Sequence, residues 1–184
     1  MKKINMVDLN GQYRKIRWQV NREIKKVINT SSFVNGPIVK EFQNNLQEYL
    51  GVKHVIPCAN GTDALQIALM ALDLKRGDEV ITTNFSFAST IEVILLLGLK
   101  PVVIDIDPRT FNINPDLIQD KISNKTKAII PVHLFGQSCR MEEIVEISNK
   151  NNIQVIEDNA QALGSKYRFS NSQKQMSGTI GDIA

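Results

Sequence analysis

Ile16, Val20, Ile24, Val27 and Ile28 recur at three- and four-residue spacing, the period of one face of an amphipathic helix. A second helix is predicted from Pro37 onward, through Phe42, Leu46, Tyr49 and Leu50. After residue 50 the pattern changes. Short runs rich in β-branched residues appear at HVIPC (54–58), EVITT (79–83), PVVIDI (101–106), KAIIPVH (127–133) and QVIED (154–158), with helical patterns between them. One intervening helix opens in ANGTDALQIALMAL and has Leu65, Leu69 and Leu72 as its apolar face. Another is predicted to begin at Asn114, a capping residue followed by Pro115 at the first helical position and Asp116 in the first turn. DPRTF (107–111) reads as a turn, and RFSNSQKQMS (168–177) as an exposed loop or hairpin tip. Strands that are apolar on both faces and alternate with helices predict an α/β fold, its parallel sheet covered on both sides. There is no internal repeat and no linker.

Composition narrows the partners rather than the fold. With 184 residues and 42% hydrophobic content the chain can build a globular core. A net charge of +3, with lysines scattered along the sequence, gives no polyelectrolyte surface for nucleic acid and favours a small-molecule ligand. The lysines of MKKINMVDLNGQY precede no apolar run, and no window reaches the roughly 20 apolar residues of a membrane span. No membrane association is expected, and a cytoplasmic location is. Cys58 and Cys139 lie far apart without a CxxC partner, which suits a reducing compartment. His54, Cys58 and Cys139 lack ligand spacing, so no metal is expected.

In parallel α/β sheets ligands bind outside the carboxyl ends of the strands, so the segments following each run are the candidates. Gly61 and Thr62 open a helix whose first-turn N–H groups suit an anion such as phosphate; alternatively, Asn60 or Thr62 simply caps the helix. In NFSFAST two phenylalanines flank a serine. One ring facing the crevice would stack on a flat ligand; the alternative is that both pack in the core. His133 ends the fourth run, where a hydrogen-bonded structural role is the common one. VIED ends the fifth run on two acids. At least one of Glu157 and Asp158 should face the crevice, where a partly desolvated carboxylate needs a donor or a cation, such as a protonated ring nitrogen. A salt bridge or a helix cap would satisfy it equally.

Taken in order, ANGTDALQIA, GDEVIT, NFSFAST, DPRTFNI, KAIIPVHLFGQ and IEDNAQALG resemble the DegT/StrS-type (DegT/DnrJ/EryC/StrS) nucleotide-sugar aminotransferases, pyridoxal-phosphate enzymes of fold type I. Within that family the chain is most similar to enzymes that aminate UDP-linked 3-keto sugars, including 3-oxo-glucuronate derivatives. The resemblance implies the large cofactor-binding domain, with leading helices in 1–50 and the βα sheet in 51–184. It assigns Gly61 and Thr62 to the cofactor phosphate, Phe87 to stacking on the pyridine ring and Phe85 to the core. By the same resemblance Asp158 would pair with the pyridine nitrogen, Gln161 would hydrogen-bond the ring hydroxyl, His133 would lie in a motif near the ring, and Glu157 would anchor the loop. SSFVNGP (31–37) resembles a stretch close to the active site, where Gly36 would permit backbone approach. Amino transfer from a donor such as glutamate to a nucleotide-linked keto sugar, in a homodimer, is the implied activity.

One departure stands against these agreements. In the family a phosphate-binding serine and then the Schiff-base lysine follow the GTIGDIA motif, which here is Gly178–Ala184. Lys166 and Lys174 both precede it. No catalytic residue is therefore expected within these 184 residues, the lysine being expected beyond Ala184 together with the last strand and a small C-terminal domain. The 184 residues alone are expected to be inactive, to hold the cofactor weakly, and to be poorly soluble through uncovered sheet edges. The competing class is a non-catalytic module that binds the cofactor or a nucleotide. An ordinary dinucleotide-binding domain would want GxGxxG after its first strand, which CANGTDAL does not supply.

Overall fold

The computed structural model describes residues 7–184, which fall into two compact units divided after Pro57. The first unit holds two helices, α1 (Leu9–Thr30) and α2 (Pro37–Leu50). Asp8 caps α1 by accepting from the Gly11 N–H at 2.8 Å, and Pro37 opens α2 at the position where a missing N–H costs nothing. Both helices follow the predicted periodicity, but neither contains a fully buried residue, and Ile24, Ile28, Phe42 and Tyr49 are exposed. Gly36 does permit a close approach, to the carbonyl oxygen of Ser32, which a Cβ would meet.

The second unit carries the sheet. Its strands are β1 (Glu79–Thr83), β2 (Lys100–Ile104), β3 (Thr126–Ile129) and β4 (Gln154–Val155), all parallel and ordered β2-β1-β3-β4. Helices α3 (Gly61–Ala71) and α4 (Ser89–Leu96) cover one face, and α5 (Met141–Asn151) packs on the other. Alternation within each strand sorts the core. Val80, Ala128, Ile130 and Ile156 cluster with Leu65 and Leu69 of α3 and Val93 and Ile94 of α4. Ile81, Ile129 and Val155 cluster with Met141 and Ile144 of α5. β1 lies between two strands and is buried throughout, whereas β2, at an edge of the order, leaves Val103 exposed. The antiparallel hairpin β5 (Lys166–Arg168) and β6 (Lys174–Met176) has its tip within the segment read as a loop or hairpin tip.

Three expectations are corrected. HVIPC forms no strand: no described residue pairs with 54–58, and a strand exists only through its ladder. Asn114 does act as a cap, accepting from the Asp116 N–H at 3.1 Å, yet Pro115 starts two single 3-10 turns, Pro115–Leu117 and Gln119–Lys121, rather than an α-helix. Polar residues at 116, 119, 120 and 121 leave only Leu117, Ile118 and Ile122 as apolar positions, too few for a longer buried face. Phe85 is not core. β1 ends at Thr83, so Asn84 and Phe85 lie past the strand, and Phe85 is 46% exposed.

DPRTF is a turn closed by its own ion pair. Asp107 accepts from the Arg109 backbone N–H at 2.9 Å and from the guanidinium at 2.8 and 3.1 Å. The side-chain hydrogen bonds from Arg109, and then its backbone N–H, hold the Asp107 carboxyl at a pKa of about 2. An Arg109→Ala change is expected to raise that value towards the ordinary aspartate range of about 3.9, read by NMR titration of the carboxyl carbon.

Candidate functional site

VIED ends a strand on two acids because the two serve opposite faces. Beyond β4 the ladder to the β3 side continues: the Ile156 N–H donates to Ile129 O at 3.0 Å, the Asp158 N–H to Pro131 O at 2.9 Å, and the His133 N–H to Asp158 O at 3.0 Å. On the other side the Glu157 N–H donates to Ile183 O at 2.8 Å. Two-residue alternation then places Glu157 with Val155 on the α5 face, and Asp158 with Ile156 on the α3/α4 face.

Glu157 is 1% exposed and fully employed. Its Oε2 accepts from His133 Nε2 at 2.8 Å and from the Gly178 N–H at 2.9 Å; its Oε1 accepts from the Ile180 and Gly181 N–H groups, both at 2.6 Å. The Cys139 N–H donates to His133 Nδ1 at 3.1 Å, so the ring proton sits on Nε2 and is given to Glu157. Burial pushes the Glu157 carboxyl up, but the His133 hydrogen bond and the Gly181 and Gly178 N–H groups outweigh it and hold its pKa below the usual carboxylate range. Burial, and then the Glu157 charge, push the nearby Cys139 thiol well up, so it is inert as a nucleophile. Glu157 thus ties the 178–181 turn to the sheet. His133, fully buried, has both ring nitrogens engaged in that framework.

Asp158 is 8% exposed and differently placed. Its Oδ2 accepts from Thr90 Oγ1–H at 2.9 Å, and its Oδ1 from the Ala160 N–H at 3.4 Å, a long contact. Among the described residues no lysine, arginine or histidine pairs with it. Thr90 lies in the first turn of α4, and its N–H donates to Phe87 O at 3.4 Å. Phe87 itself is 70% exposed, while Phe85 stacks on Phe111, ring centroids 5.7 Å apart.

Gln161 is fixed by its neighbour. The Phe135 N–H donates to Gln161 Oε1 at 2.8 Å, which orients the amide and leaves its NH2 as the outward donor. At the start of α3, Asn60 caps the helix by accepting from the Asp63 N–H at 2.9 Å, and its amide holds the Asp63 carboxylate at 3.0 Å. Among the described residues nothing accepts from the N–H groups of Gly61 and Thr62, and a Cβ on Gly61 would meet no atom within 4 Å. The Asn60 cap therefore leaves these two N–H groups unpaired.

Phe87, an exposed ring, follows the end of β1, and Asp158, nearly buried and without a cation among the described residues, follows the end of β4; the two N–H groups that open α3 and the Gln161 amide are further donors unpaired among those residues. Hydrogen bonds join Thr90 to Asp158 and Phe135 to Gln161; none joins Gly61 or Thr62 to the others. Thr90 and Phe135 do not stand out in the sequence. A hydroxyl three residues after Phe87, at the head of a helix, is the available signal for Thr90; Phe135, a non-glycine residue at a φ of 56°, carries none.

Residues 14–184 match the model of the DegT/DnrJ/EryC1/StrS aminotransferase family. The chain is 46% identical over 165 residues to the UDP-2-acetamido-2-deoxy-3-oxo-D-glucuronate aminotransferase of Pseudomonas aeruginosa, covering 90% of this chain and 46% of that protein. It is 38% identical over 180 residues to the UDP-N-acetyl-3-dehydro-alpha-D-glucosamine 3-aminotransferase of Acidithiobacillus ferrooxidans, covering 98% and 47%. The solved structure of NtdA from Bacillus subtilis with bound cofactor PMP superposes with a TM-score of 0.81 at 37% identity, over 89% of this chain and 38% of that one. The chain spans about half the length of the curated relatives it matches. The ordered motifs, the parallel α/β fold of type I aminotransferases and these likenesses agree: the chain belongs to the DegT/DnrJ/EryC1/StrS aminotransferase family.

Proposed function

We propose that residues 1–184 are the N-terminal, cofactor-binding part of an enzyme that moves an amino group from a donor such as glutamate to a keto sugar carried on a nucleotide, using pyridoxal 5′-phosphate. The observation that carries this is Asp158: an acid 8% exposed, just past the carboxyl end of β4, with a hydroxyl for a partner and no cation among the described residues. Such a group is stabilised when a ligand supplies the positive charge. The remaining donors fit the same ligand. Free N–H groups of Gly61 and Thr62 suit its phosphate, Phe87 its ring face, and the Gln161 amide its ring oxygen.

When bound, the cofactor supplies an electron sink for the carbanion formed during amino transfer. The protein's part is to bind and orient. Asp158 would hold a proton on the ring nitrogen, and the Gln161 amide would fix the ring against rotation by donating to its oxygen. Phe87 excludes water from one ring face. The Gly61 and Thr62 N–H groups would hold the phosphate, an attachment remote from the chemistry that would leave the ring end to react. We assign none of the described residues to covalent attachment of the cofactor or to the proton transfer, and propose that the enzyme is a homodimer. Relatives named for 3-oxo and 3-dehydro UDP sugars support C3 of a UDP-linked 2-acetamido sugar as the site of amination.

The test is an amino-transfer assay on the full-length protein with glutamate and UDP-2-acetamido-3-keto sugars, product read by mass spectrometry. Formation of the 3-amino sugar is expected. Binding of pyridoxal 5′-phosphate without amino transfer to any keto sugar would favour the binding-module alternative.

A further inference from the structure

Resting on that reading of the site, we infer that Thr90 is a positioning residue: its hydroxyl holds the Asp158 carboxylate in the orientation that meets the ring nitrogen of the cofactor. Thr90 is completely buried, and its Oγ1 donates to Asp158 Oδ2 at 2.9 Å across 68 residues of sequence. The other carboxylate oxygen has only the 3.4 Å contact from the Ala160 N–H. Thr90 therefore supplies the shorter of the two hydrogen bonds that set the orientation of the carboxylate. Thr90 also donates its N–H to the carbonyl of Phe87, so one turn of chain carries the exposed ring and the hydroxyl that aims the acid.

A hydroxyl suits this task better than a cation. A lysine or arginine at Thr90 would neutralise Asp158 and remove its need for the ring nitrogen. A hydroxyl donates one hydrogen bond and brings no charge of its own, so the acid is left to meet a charged ligand. The β-branched threonine adds stiffness, since few χ1 rotamers are open to it, and the turn that bears it is fixed by the buried α4 residues Val93 and Ile94. The motif NFSFAST thus contributes two functions three residues apart.

Pyridoxamine 5′-phosphate is the probe, because it binds without a covalent link and so reports the pocket independently of any lysine. Calorimetric titration of the full-length protein is expected to show Thr90→Val weakening its binding about tenfold, the loss of one hydrogen bond to a charged group, and Asp158→Ala weakening it about a hundredfold. Thr90→Ser restores binding to near the wild-type value. In the Asp158→Ala background, Thr90→Val changes the Kd less than about twofold, because the residue acts through the acid. A purely structural role leaves the tenfold penalty in both backgrounds. Wild-type affinity in Thr90→Val, an undiminished penalty in the double variant, or no rescue by serine overturns the inference. Thermal melts accompany every variant, and if Thr90→Val does not fold, the Thr90→Ala and Thr90→Ser pair decides the same question. A wild-type protein that does not bind pyridoxamine 5′-phosphate, or an Asp158→Ala variant that binds it normally, instead removes the cofactor reading and this inference with it.

Discussion

Replacing Asp158 by Asn in the full-length protein is expected to lower kcat about a thousandfold, about 4 kcal/mol, while leaving the fold intact. Asparagine keeps the size of the side chain and an oxygen to accept from Thr90, so the buried hydrogen bond between the two side chains survives. What is lost is the charge. The ring nitrogen then has no anion in a desolvated crevice, and the ring is a poorer electron sink. Stability should stay within about 1 kcal/mol, or rise, since a nearly buried carboxylate without a cation costs free energy in the unliganded protein. Steady-state kinetics together with a denaturation curve separate the two effects. A loss under tenfold would show that Asp158 is not the ring's partner.

Glu157→Gln is expected to have the opposite profile, a large loss of stability arising away from any ligand contact. The carboxylate receives four donors, from His133, Gly178, Ile180 and Gly181. A glutamine has one acceptor oxygen, so its NH2 meets two donors head-on and leaves buried N–H groups unsatisfied. The cost is about 3 kcal/mol, a fall in Tm of about 10 °C. Acid dependence carries the same signature. Because the Glu157 pKa is held low in the folded protein, its contribution is fully present above the unfolded carboxyl value of about 4.3 and is lost as pH falls through the depressed folded value. The wild type should therefore lose stability below about pH 4 more steeply than Glu157→Gln does. Parallel acid profiles would show that Glu157 does not anchor the 178–181 turn as an ionised group.

The fold and the candidate site positions are legible in the sequence wherever the determining interactions are local. Helical spacing announces α1 and α2, and short runs rich in β-branched residues announce β1 to β4, because both are patterns among adjacent residues. HVIPC looks equally convincing and forms no ladder, since pairing depends on a neighbour that local sequence does not describe. The same limit applies to the acids. That VIED carries one acid on each face follows from alternation, but the partners do not: Glu157 meets a turn more than 20 residues on, and Asp158 meets Thr90 from 68 residues earlier. Phe85 escapes the core because strand parity stops where the strand stops, at Thr83.

The central claim is that the carboxyl edge of this sheet holds a pyridoxal-type cofactor through Gly61, Thr62, Phe87, Asp158 and Gln161. A crystal structure of the full-length protein with pyridoxamine 5′-phosphate bound tests it most directly. The account predicts the phosphate on the N–H groups of Gly61 and Thr62, the ring over Phe87, its nitrogen on Asp158 and its oxygen on the Gln161 amide. A cofactor seated elsewhere, or seated here with the ring nitrogen turned away from Asp158, would contradict it.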